Sequence, residues 1–157
     1  MRKQVIHPEG AGPDRDTTAW LDLEQLASAE ISSEEAAHPI EAALNPKQTG
    51  GWRAATSGSQ TIRLRFDQPQ PLQRIHLAFR EEEQPRTQEF VLRWSPDAGQ
   101  SYQELVRQQY TFSPPGTSEE VEEYQVNLAG VTVLELQLIP DISGGSAHAT
   151  LAALYLA

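Results

Sequence analysis

TIRLRFDQPQPLQRIHLAFREEEQPRTQEFVLRW, residues 61–94, contains three short segments that alternate apolar and polar side chains. TIRLRF sets Ile62, Leu64 and Phe66 on one side and Arg63 and Arg65 on the other. RIHLAFR repeats the pattern with Ile75, Leu77 and Phe79 inward and His76 and Arg80 outward, and EFVLRW with Phe90, Leu92 and Trp94. A strict period of two marks strands of an antiparallel sheet with one face buried. Downstream, ELVRQQYTF, EEVEEYQVNL, TVLELQLIP (Leu134, Leu136 and Leu138 on one side) and ATLAALYLA extend the series.

The strands are separated by turn chemistry. After Trp94 the chain reads Ser95-Pro96-Asp97-Ala98-Gly99 before Tyr102. Proline presets φ, aspartate bonds its own backbone and glycine accepts positive φ, so this is a hairpin turn flanked by two packing aromatics. Its role is architectural. Upstream, TTAWLDL (residues 17–23) reads as a first short strand. SSEEAAHPIEAAL reads as one brief helical turn, with an incomplete capping box because Ala36 follows Ser33 by three. Pro39 interrupts it, and NPKQTGGW is a loop. Eight or nine strands with one short helical segment predict an all-β, antiparallel sandwich or barrel. The 157 residues make a single domain, with residues 1–16 a loose lead-in.

With 12 Lys+Arg against 22 Asp+Glu, the net charge is -10. Such a field repels phosphate backbones, so nucleic acid is not an expected partner. No apolar run approaches a membrane span, and the N-terminus has no signal-peptide core, so the expected location is cytoplasmic, without membrane contact. The chain has no cysteine, which excludes disulfides, thiolate zinc sites and a cysteine nucleophile.

Catalytic motifs are missing: no G-x-S-x-G elbow, no P-loop and no H-E-x-x-H. The four histidines are scattered, and His76 reads as a solvated residue on a strand face. The runs Glu81–Glu83, Glu119–Glu120 and Glu122–Glu123 read as solvated strand ends. The outward arginines Arg63, Arg65, Arg74, Arg80 and Arg93 are expected to pair across strands with glutamates such as Glu89 and Glu135.

In this order the segments resemble the discoidin, or coagulation-factor type C, domain of the galactose-binding-domain-like jelly rolls. HPIEAALNPKQTGGW is similar to that family's opening loop, TIRLRFDQPQPLQRIHLAF to its next pair of strands, FVLRWSPDAGQSYQEL to its Asp-Gly hairpin, and VEEYQVNLAGVTVLELQLIP and ATLAALYLA to its closing strands. The resemblance implies a non-catalytic module that binds through loops at one end, here about 45–57, 80–88, 113–118 and 141–148. Sugar-binding relatives hold calcium with an Asp-Gly loop and a glutamate in the last strand; here Asn45-Pro46 and Ala153 stand instead, so no metal or other cofactor is expected. The candidate ligand residues are Asn45, Arg53, Arg80, Arg86 and His148, with Trp52 as a stacking platform or, alternatively, buried under its own loop. Carbohydrate is the first partner and another protein the second.

Overall fold

The computed structural model describes residues 20–157. The lead-in of residues 1–16, and the first three residues of TTAWLDL, lie outside them. The described residues form eight strands: β1 (Ala27–Ile31), β2 (Trp52–Arg53), β3 (Gln60–Arg80), β4 (Arg86–Ser95), β5 (Gln103–Phe112), β6 (Glu119–Ile139), β7 (Thr150–Leu151) and β8 (Ala153–Leu156). Among the described residues there are two single-turn helices, α1 (Leu23–Leu26) and α2 (Glu41–Leu44), where one was expected.

TTAWLDL is not a strand in its described part. Leu23 opens α1, and only the Leu21 amide, donating to Leu156 O at 2.7 Å, bonds toward a strand. The helical turn near Pro39 forms after the proline rather than across it, as expected where a proline supplies no amide to a preceding turn.

β3 and β6 are each 21 residues long and pair antiparallel along most of their length. Gln60–Arg65 faces Val133–Leu138, and Arg74–Arg80 faces Glu119–Gln125. Between them the register shifts three times, through the exposed stretch Asp67-Gln68-Pro69. Irregular pairing and prolines bend a strand. The two strands therefore turn the corner together and enter a second layer. In the first layer β1 flanks β3, and β6 is followed by β4 and β5; in the second, β8 flanks β3. A short β2–β7 ribbon completes the sandwich.

The alternating residues meet between the layers. Ile62, Leu64, Ile75, Leu77, Phe79, Phe90, Leu92, Leu134, Leu136 and Leu138 are all buried, and the Phe79 and Phe90 rings lie 5.2 Å apart. Trp94 is only partly buried. In the hairpin after β4, Asp97 accepts bonds from Ser95 Oγ, Ser101 Oγ and the Ser101 amide. Ala98 and Gly99 both take positive φ, 62° and 93°. These bonds hold the Asp97 carboxyl down at about 2.

The outward arginines are paired. Arg63 and Arg93 each reach Glu135 at 2.6 Å, Arg65 reaches Glu30 at 2.9 Å, and Arg80 reaches Glu119 at 3.2 Å. Glu89 pairs with Arg107. His76 is not simply solvated: its ring stacks on Tyr155 at 5.4 Å, and Nδ1 contacts Glu123.

The acidic runs also differ from expectation, since Glu81 and Glu120 point inward and are buried. Gln88 and Gln108 donate to Glu120 at 3.1 and 2.9 Å, and Tyr124 donates to Gln108 at 2.9 Å. Gln108 also donates to Glu122. This polar seam joins β4 and β5 to the first half of β6, where no backbone ladder connects β5 to β6. Burial and the adjacent Glu122 push the Glu120 carboxyl up to about 7.

Candidate functional site

The four loop regions expected to share one end of the sandwich are tied together there. Ala54 N donates to Ala149 O at 3.0 Å, Gly58 N to Ala147 O at 3.3 Å, Glu81 N to Ser118 O at 2.9 Å and Ile142 N to Thr87 O at 2.8 Å. A cleft of about 550 Å³ opens at this end. Glu35 and His38 approach it from the segment between β1 and α2, Arg53 from β2, Arg80 and Glu82 from the end of β3, and Thr150 from β7.

β2 and β7 can meet only because residue 51 is glycine. Gly51 has φ 67°, and a Cβ there would lie 2.6 Å from Leu151 O. That close approach places Arg53 in the wall, where its Nε donates to Glu35 Oε2 at 3.2 Å. His38 Nδ1 lies 3.3 Å from Gly50 O, and Arg80 reaches outward to Glu119.

Of the residues singled out in the sequence, Trp52, Arg53 and Arg80 line this cleft. Trp52 does not act as a platform: it is 1% exposed, and its indole N–H donates to Ser33 O at 3.0 Å. The burial reading of this residue is the one that holds.

Arg86 is not a ligand group either, because it is 3% exposed. Its Nε donates to Glu81 at 2.6 Å, Nη1 to Pro140 O at 2.9 Å and Nη2 to Thr150 Oγ1 at 3.1 Å, while its guanidinium covers Phe112 at 4.8 Å. Thr150 Oγ1 in turn donates to Arg80 O at 2.8 Å. Arg86 is thus the internal brace that fixes the cleft wall. Burial raises the Glu81 carboxyl, but Arg86 and the Glu83 and Gln84 amides outweigh it and leave the group lowered.

Asn45 and His148 lie outside the cleft lining. Asn45 donates to Glu24 at 3.0 Å beside a separate groove, and His148 Nδ1 lies 2.8 Å from Ala54 O. Glu35, His38 and Glu82 were not foreseen as site residues. The signal available for them was position: polar residues beside Pro39, and the acidic run immediately after a strand that ends in arginine. Among the described residues no three potential ligands come together as a metal set.

Residues 27–152 match the F5/8 type C domain, and the chain belongs to this discoidin family. Its fold is similar to that of the family 32 CBM from C. perfringens NanJ in complex with galactose. The TM-score is 0.66 and the identity 11%, over 87% of this chain and 96% of that one. The Clostridium perfringens CpGH89CBM32-5 domain, in complex with GalNAc-β-1,3-galactose, gives 0.65 at 16% identity, over 88% and 99%. Reduced XRCC1 bound to the DNA pol beta catalytic domain gives 0.60 at 14%, over 82% and 92%. No curated protein matches the chain in sequence.

Proposed function

We propose that this chain is a non-catalytic carbohydrate-binding module whose sugar lies in the loop-end cleft. The observation that carries the reading is the mixed set of planar polar groups around that cleft. The guanidinium groups of Arg53 and Arg80 and the imidazole of His38 stand with the carboxylates of Glu35 and Glu82 and the hydroxyl of Thr150. Such a set supplies both donors and acceptors to a ring bearing hydroxyls on several sides. With Trp52 buried, recognition here rests on hydrogen bonds rather than on stacking. Membership of the family, and the sugar complexes of similar folds, support the assignment.

The test is a glycan array run with and without calcium, on the protein and on an Arg53→Ala, Arg80→Ala double variant. Both arginines are partly exposed and their removal leaves the core intact, so stability should change by less than about 1 kcal/mol. A calcium-independent hit that disappears in the variant is expected. Silence of the wild-type protein across the array sinks the sugar reading and moves the assignment to a protein partner. The exposed Ile139 and Ile142 near the same end are the observation that favours that second reading.

A further inference from the structure

The cleft offers no aromatic ring face, yet a partly exposed tryptophan, Trp20, lines a different cavity. A groove of about 360 Å³ runs between the Trp20–Glu24 segment and the Leu44–Lys47 segment, and it shares no lining residue with the loop-end cleft. We propose that this groove is a second carbohydrate site, which takes a neutral pyranose with Trp20 as its platform. The inference rests on the reading of the chain as a sugar-binding module but not on the loop-end cleft.

Three observations support it. First, Trp20 is held in place from several directions. The Arg74 guanidinium lies 4.5 Å over its ring, Tyr155 and His76 pack at 5.6 and 6.0 Å, and the next residue's amide bonds Leu156 O. A ring fixed before the ligand arrives loses little entropy on binding. The rotamer is set by the second layer of the sandwich, so the platform is part of the fold.

Second, three polar groups around the groove have no side-chain partner among the described residues. The Trp20 indole N–H has no acceptor among the described residues, in contrast to that of Trp52. Asp22 occupies the N-cap of α1 without making a side-chain capping bond, and Lys47 forms no ion pair among the described residues. An aromatic residue with donors and an acceptor lining the same groove suits the apolar face and hydroxyl rim of a pyranose. Third, the charges are mixed. Asp22 and Glu24 stand against Lys47, with Asn45 bonded to Glu24. This balance favours a neutral ring over a uronic acid, whose carboxylate would face two others.

The three indole N–H cross-peaks of 15N-labelled protein provide the test. Methyl β-galactoside, methyl β-glucoside and N-acetylgalactosamine would be titrated in turn. The Trp20 signal, assigned from Trp20→Phe, is expected to move with at least one of them while that of Trp52 stays. Asp22→Ala combined with Lys47→Ala should weaken this response about tenfold or more with the melting temperature unchanged. The Arg53→Ala, Arg80→Ala variant should leave it intact. The proposal is overturned if Trp20 stays still while amides of residues 80–83 shift, or if its response disappears in the arginine variant and survives in the Asp22, Lys47 variant. Silence at both places overturns this site and the loop-end assignment together, whereas movement of Trp20 alone removes only the loop-end assignment.

Discussion

Trp52 and Arg86 carry most of the consequence at the scale of single residues. Trp52→Ala removes a large buried ring and leaves Ser33 O without its donor, so it should cost about 3–5 kcal/mol in urea unfolding. Any sugar lost with that variant reports on folding rather than on contact. Arg86→Met strands the buried Glu81 carboxylate and should cost about 3 kcal/mol or more, again by urea unfolding. It should also weaken the glycan binding proposed for the cleft, because Thr150 and the segment at Pro140 lose their brace. The burial of Trp52 was already one of its two readings in the sequence, through the resemblance to a family tryptophan packed under its own loop, whereas the fate of Arg86 was not legible in the residue types. An arginine after Glu-Glu-Glu-Gln-Pro reads as a loop cation; its burial depends on Pro140 and Thr150, which lie more than fifty residues along the chain. The pairing of the strand-face arginines, by contrast, was readable, because period-two alternation sets like faces side by side on neighbouring strands.

Among the elements, the polar seam between β5 and β6 has a definite pH signature. The Glu120 carboxyl stands near 7 when folded and at 4.5 when unfolded, a raised value. Its contribution is complete below 4.5 and falls as pH rises from 4.5 through about 7, because the folded state keeps a proton that the unfolded chain has released. The loss should be on the order of 2–3 kcal/mol by pH 8. Glu120→Gln should flatten the slope of stability against pH in that window; an unchanged slope would place the titration elsewhere. Glu135 behaves in the opposite way. Burial raises it, but Arg93 and Arg63 prevail and lower it, so its contribution is present above 4.5 and is lost as pH falls through the lowered folded value. Stability should therefore peak on the acid side of neutrality. The seam was invisible in the sequence because EEVEEYQ alternates outward and inward acids, and only the approach of Gln88 and Gln108 makes the inward ones tolerable. The corner of β3 was half legible. TIRLRF and RIHLAFR read as two strands, but they remain one strand across Pro69 and Pro71 because β6 bends beside it.

For the molecule as a whole, adding calcium or a chelator should leave the melting temperature unchanged. The loop at Asn45 and the last strand at Ala153 carry no carboxylate, and Ala153 is buried. A shift of several degrees would reveal a carboxylate set drawn from elsewhere in the chain. The sandwich was legible at this scale from strand periodicity and turn chemistry together. The cleft was legible only as a neighbourhood of loops, since its lining comes from four separated segments.

Each of the two longest strands lies in both layers, bonded to the other for much of its course. The sandwich is therefore creased rather than stacked, like one ribbon folded over. Sliding one layer past the other would shear covalent chain at the crease, so the natural give lies on the opposite side, where only side chains bridge β5 and β6. Amide hydrogens of β5 should exchange first and those of paired β3 and β6 last, and the molecule should open like a book along its spine.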